Sequence, residues 1–445
     1  MIDFSSTDMK TFTCVLLILI GSTGGQFLAP GNHGNNVISR TSGNLLRNLM
    51  GTQTYKDAIV TSRLDASMPV RRFYRGFREI YSRLLGETGQ RSSGNFLQSY
   101  VSPSKAFPCQ VDGFRSSTPP ESVHQLRPGD IDIVAAVGDS LTTATAANSR
   151  ALWELMAENR GVSWSIGGQG TWRTHLTLPN IIKEFNPQLF GYSLSDSYNV
   201  HREAQFNVAE NIATTSDMPY NAKKLVSRMR LDSRVNMTHH WKILTYMIGG
   251  NDFCSDICHQ TNATHWINDL QEKYLLESLR YLRDNMPRTL VNLVPTPLIS
   301  LSFSMDKVQR PFSCSLTQPI ECSCLFGPRY SKDRNHFRTI ERKFAKIMER
   351  LSFLAELHTK EFTIVYQPFF KDASVFYGGV KEPDMDLMSI DCVHLSQKGH
   401  AVSANGLWNN MMEAVGSKSS GFRPLFAEFK CPSREKPYIF TNYNS

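Results

Sequence analysis

Four short motifs carry the residue types that nucleophilic attack on an ester needs. The first is Val137-Gly138-Asp139-Ser140-Leu141-Thr142, where a glycine permits a tight turn and displays a serine hydroxyl just before a helix. It is not the G-x-S-x-G elbow, because position 142 is Thr. The second, Ser165-Ile166-Gly167-Gly168-Gln169-Gly170, exposes backbone N–H groups that can hydrogen-bond a developing oxyanion. The third, Ile248-Gly249-Gly250-Asn251-Asp252, adds a side-chain amide donor. The fourth, Asp391-Cys392-Val393-His394, supplies an imidazole as general base and a carboxylate to orient it. Each motif alone has a plainer structural explanation: Ser140 as a helix N-cap, Gly168 in a glycine-rich turn, Asn251 in an Asn turn, Asp391 and His394 as exposed loop residues.

The elements around these motifs decide which explanation applies. Apolar runs at 131–137, 162–166, 241–248, 289–294 and 362–366 read as buried strands. Helical spacing between and after them covers 147–159, 177–185, 220–230, 265–285, 333–357 and 397–414. Strands alternating with helices predict an α/β fold, a three-layer, doubly wound parallel sheet of the flavodoxin-like kind. In such sheets the functional site lies beyond the carboxyl ends of the strands. The first three motifs each follow a predicted strand directly, and the fourth follows the last strand after a loop.

In that order the motifs resemble those of the GDSL, or SGNH, hydrolase family, and the likeness is nearest to its phospholipase B-like branch. Leu126-Arg-Pro-Gly-Asp-Ile131, Trp164-Ser-Ile-Gly-Gly168, Thr177-Leu-Pro-Asn-Ile181, Gly249-Gly-Asn-Asp-Phe-Cys254, Asp391-Cys-Val-His-Leu-Ser396 and Leu407-Trp-Asn-Asn410 extend it across residues 107–415. The resemblance implies an SGNH-hydrolase fold. It implies Ser140 as nucleophile, Asp391 and His394 as the rest of a triad, and Gly168 with Asn251 as oxyanion donors, Gly167 being a one-residue alternative to Gly168. It further implies a serine esterase acting on phospholipid or lysophospholipid acyl esters, with transient contact to a membrane surface and no cofactor or metal. Long relatives of that branch repeat the domain and end in a membrane anchor; here one copy and no anchor are expected. A carbohydrate O-deacetylase or short-chain esterase is the alternative enzyme on this fold, and a lipid- or glycan-binding protein the non-enzymatic one.

The rest of the chain suggests export. Lys10 precedes the apolar run 11–20, and small residues follow at 21–25, the pattern of a signal peptide too short to span a bilayer. Residues 26–106 form an N-terminal extension with helical spacing at 46–90, and 416–445 a C-terminal tail. Nine cysteines are present; with Cys14 inside the signal, eight remain, an even number that points to disulfides. Cys254, Cys258, His259 and His265 have a spacing that could also suggest zinc, but export favours disulfides. Sequons at Asn236 and Asn262 are candidate glycosylation sites. The formal net charge of +8 comes without a dense basic run, so no nucleic-acid partner is expected. A secreted or lumenal, soluble glycoprotein follows as the expectation.

Overall fold

In the computed structural model, residues 95–297, 311–371, 384–421 and 423–445 are described. The expected signal peptide and the helical stretch of the N-terminal extension lie outside them. Four strands form one parallel sheet in the order β1 (Ile131–Gly138), β2 (Trp241–Ile248), β3 (Thr289–Pro295) and β4 (Phe362–Tyr366). Nearly every strand residue is buried. That explains why they read as continuous apolar runs rather than as an alternation: both faces of the sheet are covered.

Successive side chains along a strand point to opposite faces, so each strand feeds two cores. One core joins Ile133, Ala135 and Val137 to Leu244, Tyr246 and Ile248, and packs them against Leu225, Leu279 and Phe344. The other joins Val134, Ala136, Ile243 and Met247 to Ile181, Leu407 and Trp408. The helices include α1 (Ser140–Thr143), α2 (Leu178–Phe185), α3 (Met218–Leu231), α4 (Glu272–Asn285), α5 (Phe312–Glu321), α6 (Arg334–Leu351) and α7 (Gln397–Met411). Helices α3, α4 and α6 cover the first face, α2 and α7 the second. The architecture is the three-layer α/β sandwich with a parallel centre that the alternation of runs predicts.

Two expected elements are absent. Residues 162–166 are not a strand. The N–H groups of Ile166 and Gly167 turn back to the Ser163 carbonyl, at 3.3 and 2.8 Å. The Ser163 hydroxyl donates to Thr142 O at 2.7 Å, so a polar residue sits buried at no cost. All five residues from Val162 to Ile166 are buried, as expected of a covered strand, but in a turn whose serines are satisfied internally. The free edge of β1 is bridged instead by Phe190 and Asn207. Residues 147–159 likewise form no α-helix. Ser149 Oγ donates to Glu154 O, Arg150 N to Glu154 Oε2 and Asn148 N to Asn159 Oδ1, local bonds that compete with a helical ladder.

The C-terminal segment and the stretch before β1 are fastened together. Cys109 is disulfide-bonded to Cys431, and Ile439 is fully buried with its N–H on Leu126 O. Within the stretch expected as a tail, Cys431 and Ile439 thus attach to the segment before β1. Among the described residues, no helix is long and apolar enough to cross a membrane.

Candidate active site

Ser140 is the first residue of α1, separated from the end of β1 by Asp139 alone. The turn needs Gly138, where φ is +154° and a Cβ would collide with the Met247 carbonyl and Thr142. The N-cap is not Ser140 but Asp139, whose Oδ1 accepts the Leu141 N–H at 3.0 Å. The serine hydroxyl is therefore not used for capping. As the first helical residue, Ser140 also has a backbone N–H with no partner inside the helix.

Asn251 follows β2 after two glycines. Gly249 has φ +127°, and a Cβ there would meet the Phe344 ring. Asn251 Nδ2 donates one hydrogen to Ala213 O at 2.9 Å, which fixes the amide and leaves its second N–H for another acceptor. Ser140, Asn251 and His394 line one cleft together with Asp139 and Gly250. Apart from the disulfide-bonded Cys392, its remaining wall is apolar: Leu141, Pro297, Phe326, Met388, Val393 and Leu395.

The Asp391–His394 turn is held tightly. Asp391 Oδ1 accepts the N–H groups of Val393 and His394, each at 2.9 Å, and Oδ2 stands 2.7 Å from His394 Nδ1. With Nδ1 committed to the carboxylate, Nε2 is the ring atom left to act as a base. Cys392, between the two, takes a left-handed φ of 57°, unusual for a residue with a Cβ. Helix α5 holds it there through the Cys314–Cys392 disulfide, the Gln318 Nε2 bond to Cys392 O at 2.9 Å and the Thr317 Oγ1 bond to Asp391 O at 2.7 Å.

Charge follows from this geometry. Burial would raise the Asp391 carboxyl, but the His394 ring and the backbone donors hold it below the ordinary value. Burial works against a charged His394 as well, yet the carboxylates of Asp391, Glu321 and Asp139 outweigh it and push the ring up to about 9. Asp139 itself is raised to about 6 by burial. The other nearby histidine, His400, is buried, accepts the Trp164 N–H on Nδ1 at 3.3 Å, and burial lowers it to about 3. It stays neutral and is no part of the cleft wall.

Not every expected residue joins this constellation. Gly168 donates its N–H to Ser193 O at 2.8 Å, and a Cβ on it would overlap the Tyr192 ring. Gly167 spends its own on Ser163 O. Neither N–H is left for the cleft: the turn that replaces the expected strand takes that of Gly167, and the neighbouring segment at Ser193 takes that of Gly168. Glu321, by contrast, is a residue that sequence reasoning passed over. It ends α5, and its Oε2 lies 3.6 Å from His394 Nδ1.

Two clusters of potential metal-ligand atoms exist among the described residues: Cys258, His259 and Cys324, and Glu321, Asp391 and His394. In the first, both cysteines are disulfide-bonded, Cys258 to Cys324, so neither offers a thiolate. In the second, Nδ1 and Oδ2 are already joined to each other. Cys254 pairs with Cys322, which leaves none of the eight cysteines with a free thiol for the zinc site that their spacing could suggest. The sequon asparagines Asn236 and Asn262 are both exposed.

A family model for GDSL-like lipases and acylhydrolases matches residues 134–407. Human membrane-associated phospholipase B1 is 38% identical over 336 residues, 74% of this chain and 22% of that protein. The mouse protein of the same name is 37% identical over 340 residues, with the same coverage of 74% and 22%. The chain thus spans 22% of the length of the curated relatives it matches. Among solved structures, an extracellular lipase from Streptomyces rimosus is similar at a TM-score of 0.32 and 13% identity, over 60% of this chain and 94% of that one. A phospholipase A1 from Streptomyces albidoflavus gives 0.31 and 13%, over 61% and 95%.

Proposed function

From the premise that the chain belongs to the GDSL-like lipase/acylhydrolase family, we propose that it is a serine esterase that hydrolyses acyl esters of phospholipids and lysophospholipids, with Ser140 as nucleophile. The observation that carries this reading is the shared cleft of Ser140, Asn251 and His394, backed by the 2.7 Å bond from His394 to Asp391.

The chemistry runs through these atoms in order. His394 Nε2 takes the Ser140 hydroxyl proton as Oγ attacks the acyl carbonyl carbon. The carbonyl oxygen becomes an oxyanion, held by the free N–H of Asn251 and the backbone N–H of Ser140. The imidazolium, steadied by Asp391, returns its proton to the leaving alcohol, and an acyl-serine remains. Water, activated by the same ring, releases the fatty acid. Gly168 enters as a turn residue rather than as a donor, since its N–H is already spent. No step calls for a metal or cofactor.

Two things support a lipid over a sugar ester. The curated relatives are named phospholipase B1. The cleft wall contributed by Leu141, Pro297, Phe326, Met388, Val393 and Leu395 would bury an acyl chain, each methylene gaining about 0.8 kcal/mol. The four disulfides and the exposed sequons suit a secreted, glycosylated protein. A fluorophosphonate probe tests the reading. It should label the wild-type chain and leave Ser140→Ala unlabelled, and fatty acid release from phosphatidylcholine and lysophosphatidylcholine should follow the labelling. Absence of labelling in an active wild-type preparation would refute it.

A further inference from the structure

We propose that Glu321 is a second acidic partner of the His394 imidazole, a positioning residue that acts beside Asp391 to stabilise the protonated ring. The proposal rests on the esterase reading above for its role in turnover, but not for its geometry.

The geometry is specific. Glu321 Oε2 lies 3.6 Å from His394 Nδ1, the atom that also faces Asp391 Oδ2 at 2.7 Å. At 3.6 Å the glutamate is a Coulombic neighbour rather than a full hydrogen-bond acceptor. That Oε2 is closed to solvent and makes no hydrogen bond of its own. A carboxyl oxygen shut away without a partner costs free energy unless a charge nearby rewards it. Among the described residues, the cationic group that acts on it is the His394 ring. The placement is also enforced: Thr317 and Gln318 on the same helix bind the backbone of Asp391 and Cys392, and Cys314 is bonded to Cys392. On the other side, Cys322, the next residue, is bonded to Cys254, close after Asn251. Helix α5 therefore carries Glu321 into the site on a stapled support.

The charged and titratable groups facing the ring among the described residues are Asp391 on its own turn, Glu321 on α5, Asp139 at the end of β1, and His400 on α7, which is uncharged. Burial raises the Glu321 carboxyl, and the neighbouring Asp391 carboxylate raises it further, to about 8, with His394 opposing. The pair consequently titrates together. A glutamate that ionises while the ring is still protonated favours the imidazolium, so the ring keeps its proton to higher pH.

The sign of the test follows. His394 acts as a base only when neutral, so the acid limb of the kcat/KM profile reports its deprotonation. Glu321→Gln keeps the size of the side chain and removes its charge. The limb should move to lower pH by about one to three units, the range for losing an opposite charge at such a distance. Glu321→Asp, which retains a carboxylate, should leave the limb nearer to the wild-type position. Coincident limbs for wild type and Glu321→Gln would overturn the proposal. So would equal displacement by both variants, which would mark a packing effect. Should either variant fold poorly or turn over too slowly, the ring-proton NMR titration of His394 in the full chain reads the same shift in wild type and Glu321→Gln without turnover. An unshifted titration overturns the proposal whether or not Ser140 is the nucleophile, and Ser140→Ala activity judges the esterase reading separately.

Discussion

His394 Nδ1 meets Asp391 Oδ2 at 2.7 Å, and the aspartate's other oxygen accepts the histidine's own backbone N–H at 2.9 Å. One carboxylate thus fixes both the ring and the turn that carries it. Asp391→Asn removes the charge and allows the ring to take the wrong tautomer. The change should lower kcat on a soluble ester by on the order of 10⁴. Steady-state kinetics beside a melting curve checks this: a loss under tenfold in folded protein would show that Asp391 does not orient the base.

Hydrolysis should rise with pH through the region above the ordinary histidine value. Burial opposes the imidazolium, but Asp391, Glu321 and Asp139 outweigh it and raise the ring. The neutral, catalytic form is therefore depleted at pH 6.5 and grows as pH climbs toward about 9. A kcat/KM profile on a soluble, uncharged ester measures the limb. A limb centred at or below 6.5 would contradict the charge arrangement around the ring.

The oxyanion role of Asn251 separates from a structural one. Its amide has one hydrogen on Ala213 O and one to spare. Asn251→Ala should cost about 10²–10³ in kcat, because the donor is worth more once the carbonyl oxygen carries charge. Were the residue only a support for the Gly249-Gly250 turn, melting temperature would fall while kcat per folded molecule held. Measuring both on one preparation discriminates.

Two disulfides should behave differently. Removing either by a double Cys→Ala change should cost about 2–5 kcal/mol of stability. Only loss of Cys314–Cys392 should also depress kcat, since Cys392 sits in the left-handed position between Asp391 and His394. Loss of Cys109–Cys431, which ties the C-terminal segment to the stretch before β1, should leave kcat unchanged. Equal kcat in both double variants would mean that the triad turn holds itself.

The legible parts of the fold were those in which burial imposes a pattern. Strands covered on both faces are largely apolar, so β1 to β4 stand out, and helices such as α3 and α6 show their spacing. Ser140, Asn251 and the Asp391–His394 turn lie beyond strand ends, where sheet topology puts them. The segment before Gly168 reads as a buried strand because Val162, Trp164 and Ile166 are buried, but burial is equally met by a turn whose serine hydroxyls are satisfied inside the protein. Glu321 was invisible because its place depends on the pairing of Cys314 with Cys392 and Cys322 with Cys254, and cysteine spacing alone does not fix connectivity.

The central claim is that ester hydrolysis passes through the Ser140 hydroxyl. The most direct test is the rate of fatty acid release from lysophosphatidylcholine by Ser140→Ala relative to wild type, at matched folded protein. Removing the nucleophile of such a triad costs about 10⁶ in kcat, so release should fall to the background of the assay. Release at more than about a tenth of the wild-type rate would contradict the account.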